Sequence, residues 1–70
     1  MSKASRLKVG QNIKYARKNK GLSQEKLAEL IKKTRNYVGM VERAEINPPL
    51  SVILDISTAL NVEAKIFFET

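Results

Sequence analysis

An all-α fold, a compact bundle of five short helices, is predicted by three features of this 70-residue chain. Apolar residues recur at three- and four-residue spacing rather than alternating, which is the period of a helix with one buried face. Gly21 and the run Asn47-Pro48-Pro49 are the clear breaks, and they cut the chain into pieces of helical length. Ser23 and Thr34, whose short side chains satisfy free N–H groups at a helix start, stand before two of those pieces. A single domain over residues 1–70 is expected, with residues 1–4 flexible, because so short a chain has little interior to divide.

Helix one is read from Ser5 to Lys20, where Leu7, Val9, Ile13 and Ala16 recur among charges until Gly21 stops it. Ser23 then caps a second helix, Glu25 suits its positive end, and Leu27, Ala28 and Ile31 form its apolar face. After Lys32 and Lys33, Thr34 caps a third helix running from Arg35 to about Arg43, with Val38, Val41 and Tyr37 turned inward. Leu50, Ile53, Leu54, Ile56 and Leu60 mark a fourth helix, and Asn61 suits the left-handed position that ends one. Its β-branched residues are compatible with a strand, but their spacing and the length of the segment favour a helix. Glu63 to Glu69 completes the set as a short fifth helix carrying Ile66, Phe67 and Phe68.

Composition excludes several kinds of chemistry. The chain has no His and no Cys, so thiolate nucleophiles, imidazole bases, disulfides, zinc fingers and haem ligation are unavailable. An enzyme would need paired carboxylates in a cleft that 70 residues rarely enclose, and neither a metal nor any other cofactor is expected. No segment has the length of apolar sequence that spans a bilayer, nor the start of a signal peptide, so a soluble, cytoplasmic protein is expected. The formal charge of +6 is unevenly placed. Residues 1–35 carry eleven bases against Glu25 and Glu29, a net of +9, whereas residues 36–70 carry Arg43 and Lys65 against five acids, a net of −3. Such a cationic end suits a polyanion, nucleic acid first and an anionic membrane surface second, or simply a solvated face. Helix one has too small an apolar face, without Trp or Phe, to favour the membrane.

Two short helices joined by a tight turn on a basic domain can present the second helix to the DNA major groove. The run GLSQEKLAELIKKTRNYVGMVERAEINPPLSVILDISTALNVEAKIFF resembles the lambda-repressor-like, Cro-type helix-turn-helix family, also called XRE-type regulators. The Leu-Ser-Gln start, the Leu-Ala pair, the Thr-Arg opening of helix three, Glu-Arg, Asn-Pro and Ala-Leu-x-Val follow one another at the family's spacing from Gly21 to Phe68. Four departures stand out. Lys32 replaces a usual Gly and Lys33 a usual apolar residue, so the turn is expected to be longer or strained. Ala44 replaces the Gly after Glu-Arg, and Pro49 replaces a capping Ser, which shifts the expected cap of helix four to Ser51. Gly39 inside helix three costs about 1 kcal/mol relative to Ala.

The resemblance and helix geometry together assign the site. Arg35, Asn36, Gly39 and Met40 are placed on the exposed face of helix three, where they would meet base edges. Arg35 can donate twice to guanine and Asn36 can pair with adenine. Gly39 allows close approach or relieves crowding, and Met40 meets a thymine methyl or completes packing. Gln24 at the start of helix two, with Thr34, Tyr37 and Arg43, is assigned to phosphates. Arg17 and Glu42 occupy positions where the resemblance implies an ion pair tying helix one to helix three. Lys3, Arg6, Lys8, Lys14 and Lys18 add backbone electrostatics, as an arm along the duplex or as a general field.

A homodimer is expected, because one small domain offers too few contacts for tight selective binding and a two-fold pair reads an inverted repeat. Ile66 and Phe68 are the interface candidates, since a helix cannot turn Ile66, Phe67 and Phe68 all inward; the alternative is a cluster folded back over helices one and four. With no effector domain evident, no small-molecule effector is expected. Phage Cro-like repressors and the small controllers of restriction-modification systems share this pattern, the Phe-Phe ending leaning to the latter. A protein-binding module, such as an antitoxin subunit with secondary DNA binding, is the competing function.

Overall fold

Hydroxyl side chains set three of the four helix starts. In the computed structural model, which describes residues 1–69, α1 spans Lys3–Asn19, α2 Gln24–Leu30, α3 Arg35–Glu42 and α4 Leu50–Leu60. The Ser2, Ser23 and Thr34 side chains accept from the N–H groups of Ser5, Lys26 and Tyr37 at 3.0 to 3.1 Å. Because Ser2 acts in this way, α1 begins at Lys3 and not at Ser5, and the four residues expected to be loose include its cap and first helical residues. Ser51 is corrected in turn: it lies within the first turn of α4, whose cap position is Pro49, with no side-chain hydrogen bond. Pro49 has a φ of −59°, close to the helical value, and its carbonyl accepts from Val52 and Ile53.

All four helices end in the same way. In each, one residue turns into the left-handed region and the next N–H reaches back to a carbonyl of the last turn. These are Gly21 with Leu22 N–H to Arg17, Lys32 with Lys33 N–H to Ala28, Ala44 with Glu45 N–H to Met40, and Asn61 with Val62 N–H to Ser57. Gly21 and Asn61 take this conformation readily, but Lys32 (φ 59°) and Ala44 (φ 62°) hold a Cβ against the following carbonyl. The turn is therefore strained rather than lengthened.

Lys32→Gly is expected to stabilise the domain by about 1 kcal/mol, raising its Tm by roughly 4–8 °C. Ala44→Gly should gain less, since Ala44 is buried and its methyl would be lost from the interior. A thermal melt in which Lys32→Gly is no more stable than the parent would remove strain from the turn.

The fifth element is a 3₁₀ helix, Ala64–Phe68, and no strand occurs among the described residues. Phe67 from this turn is wholly enclosed, together with Val9, Ile13, Leu27, Val38, Ile56 and Leu60 from the four helices. Asn12 ties the turn to α1: its amide nitrogen donates to the carbonyls of Phe67 (2.9 Å) and Glu69 (2.8 Å) and, at longer range, Ile66 (3.3 Å). Leu7, Leu50 and Leu54, which belong to the apolar patterns that mark helices one and four, are exposed. No helix among the described residues is long and apolar enough to cross a membrane.

Candidate nucleic-acid interface

The position of α3 is set from behind, by contacts the protein buries. Arg17 on α1 donates from Nε to Glu42 Oε2 at 2.6 Å and from Nη2 to Glu42 Oε1 at 3.1 Å, a two-pronged pair that locks both planes. The side chains are 7% and 2% exposed, so this is a buried pair, and the remaining polar groups around it are used. Arg17 Nη1 donates to the Leu22 carbonyl at 2.8 Å, and Gln24 Nε2 donates to Glu42 Oε1 at 3.0 Å. One cluster thus joins α1, the turn after it, the first residue of α2 and the last of α3.

Close backbone contact supplies the second constraint. A Cβ on Gly10 of α1 would stand 2.6 Å from the Glu42 carbonyl oxygen and 2.7 Å from that of Val41. Only a residue without a side chain lets α1 lie this near to the end of α3. The short turn between α2 and α3 holds the other end, with Thr34 capping α3.

On the opposite side, Arg35 and Asn36 are exposed on the first turn of α3. Gln24, Arg35, Asn36, Gly39 and Arg43 line one shallow concavity of about 210 Å³. Thr34, Tyr37 and Met40 are not part of its lining. Thr34 accepts the Tyr37 N–H, and the same hydroxyl can donate its proton outward. Tyr37 is half-buried against the core, with Lys33 Nζ 5.2 Å from its ring centroid, an attraction that sets the ring's outer face. Met40 is half-buried as well.

Gly39, placed by the sequence on the exposed face, is buried. The cause is Arg43, which folds back over it: an added Cβ would come within 2.8 Å of Arg43 Nη1. Arg43 itself pairs with Glu45, Nε to Oε2 at 2.9 Å and Nη2 to Oε1 at 3.3 Å. The hydrogen bond and the charge of Glu45 raise the Arg43 pKa further above its ordinary value, and the bond from Arg43 holds the Glu45 carboxyl below the usual range. Ile66 is half-buried and Phe68 is 49% exposed.

Sequence reasoning passed over Gly10, Asn12, Glu45 and the bond from Gln24 to Glu42. Glu45 alone had a local signal, a carboxylate two residues beyond Arg43. The others act on partners distant in the chain, and no spacing rule reaches them.

Comparison with known proteins finds that a helix-turn-helix family model, HTH_3, matches residues 13–67. The sequence is 42% identical over 53 residues, 76% of this chain, to control protein C.SmaI of Serratia marcescens, of whose length the match covers 63%. It is 40% identical over 55 residues, 79% of this chain, to the immunity repressor protein of Bacillus phage phi105, of which the match covers 38%. The chain therefore spans less than two thirds of either relative. Among solved structures, the restriction-modification controller protein C.AhdI from Aeromonas hydrophila superimposes with a TM-score of 0.90 at 45% identity, over 94% of this chain and 96% of that one. The hypothetical transcription factor NHTF from Neisseria gives 0.88 at 36% identity, over 99% and 80%.

Proposed function

The chain belongs to the helix-turn-helix family HTH_3 of DNA-binding transcriptional regulators, and from that premise we propose that it binds inverted-repeat operators as a homodimer, with α3 in the major groove. The observation that carries this reading is the pairing of exposed Arg35 and Asn36 on the first turn of a helix whose rear face is pinned by a buried ion pair. A helix of eight residues is about 12 Å long, near the width of the groove, so its first turn reaches the base edges while its end stays near the backbone. Arg35 and Asn36 are the principal readers, with Met40 beside them. Gly39 makes room for Arg43 in the free protein.

Arg43, Gln24, Thr34 and Tyr37 then serve the phosphates. Gln24 has one amide proton engaged by Glu42, which leaves the other for a phosphate oxygen. The basic first half of the chain, net +9, supplies attraction without sequence preference. Phe68 and Ile66, with Leu50 and Leu54 exposed one turn apart on α4, offer apolar surface for a second copy of the chain. Likeness to C.AhdI along nearly the whole of both chains favours a controller-type regulator over a phage repressor. Its place of action is then the cytoplasm, with the DNA.

Two substitutions separate reading from holding. Arg35→Ala is expected to cost about 1–3 kcal/mol at one base position and relax the preference there. Arg43→Ala should weaken binding to all duplexes alike and reduce the salt slope by about 1. Binding measured on single-base variants of the preferred site checks both. An Arg35→Ala protein that keeps the parent's preference at every position would show that Arg35 is not a reader.

A further inference from the structure

The Arg43 guanidinium, assigned to a phosphate above, is already occupied in the free protein. Nε and Nη2 donate to Glu45, and Nη1 lies over the bare backbone of Gly39. Two local features build this resting place. Gly39 has no side chain, so the guanidinium can lie back across α3, where a Cβ would meet Nη1 at 2.8 Å. Ala44 is in the left-handed conformation, and Glu45 N–H bonds back to the Met40 carbonyl, which returns Glu45 to the side of Arg43. Both side chains remain about half exposed, 56% and 52%, so solvent and ligand can reach the pair.

A carboxylate and a phosphate present the same kind of paired oxygen acceptor to the planar fork of an arginine. Arg43 cannot serve both with Nε and Nη2 at once. The concavity that Arg43 shares with Arg35 and Asn36 brings the competition to the side of α3 that faces DNA in the reading above.

We infer that Glu45 is a positioning residue that holds Arg43 over Gly39 in the free protein and must release it to a phosphate on binding, so that its carboxylate lowers duplex affinity at every sequence. The inference rests on the DNA reading of α3. Glu45 is not hydrogen-bonded to Arg35 or Asn36, so it damps the attraction common to all DNA and leaves base reading to those two side chains.

The test uses the full chain and two labelled duplexes, one carrying the site the parent protein selects from random DNA and one of scrambled sequence. Affinities are measured for the parent, Glu45→Gln, Arg43→Gln and the double variant. Glu45→Gln is expected to bind both duplexes about threefold to tenfold more tightly at 0.1 M salt, and to change nothing when Arg43 is already Gln. An equal gain in both backgrounds would overturn the inference, because the carboxylate would then repel phosphates without acting through Arg43. No gain in the parent background would overturn it too. If the parent binds its site selectively in either of those cases, only the role of Glu45 fails. If no protein of the four binds either duplex, the DNA reading fails and the inference with it.

Discussion

Arg17→Ala should lower the stability of the domain by about 3–5 kcal/mol, because it leaves the Glu42 carboxylate buried without its countercharge. A domain of this size has about 4–10 kcal/mol in all, so the variant would lose from about a third of its stability to all of it. Glu42 would keep one neutral donor, Gln24, and the Leu22 carbonyl would lose Arg17 Nη1. The loss is not the net worth of the pair: replacing both charges with apolar side chains of similar size, Arg17→Met with Glu42→Leu, should recover much of it. A double-mutant cycle in urea separates the two quantities. An Arg17→Ala protein that melts with the parent would mean that the pair contributes no more than an exposed one, despite its 7% and 2% exposure. In the recovered double variant α3 would remain folded, but its pivot against α1 would be apolar and adaptable, so duplex affinity should recover less fully than stability.

The second large effect is a difference in sign between two helical glycines. Alanine is the better helix former by about 1 kcal/mol, so propensity alone favours Ala at Gly10 and at Gly39. Gly10→Ala is nevertheless expected to destabilise by about 1–3 kcal/mol, since its Cβ meets backbone carbonyls at 2.6 and 2.7 Å that no side-chain rotation can move. The end of α3 must shift, and the Arg17–Glu42 pair shifts with it. Gly39→Ala meets only the tip of the Arg43 side chain, which can swing away, so stability should hold or rise by up to about 1 kcal/mol. Equal and opposite shifts in Tm are not required; opposite signs are. Two stabilising substitutions would show that α1 and α3 have slack between them.

The four helices were legible because local rules agree along this chain. Ser23 and Thr34 cap where a capping residue should, and Gly21 and Asn61 terminate where left-handed residues are tolerated. The cap of α4 lies two residues before Ser51, because Pro49 supplies a near-helical φ without a side-chain bond and no hydroxyl is needed there. Exposure of Leu7, Leu50 and Leu54 could not be read either: spacing defines a stripe, but where the stripe ends depends on the neighbours that cover it. The exposure of Arg35 and Asn36 on α3 follows from the helix face alone. The burial of Gly39 does not, because it depends on the side-chain conformation Arg43 adopts to meet Glu45. Asn12 is silent in sequence for the same reason as Gly10, since its three acceptors lie at the far end of the chain.

Selection of bound sites from a random duplex pool, at a stated salt concentration, decides whether α3 reads DNA sequence as one of a two-fold pair. The expected result is enrichment of an inverted repeat whose half-site centres lie about 34 Å, or a multiple of that, apart on one face of the duplex. Guanine and adenine should be fixed at the positions facing Arg35 and Asn36. A pool that never converges would contradict sequence-selective binding, and a single unrepeated half-site would contradict the homodimer.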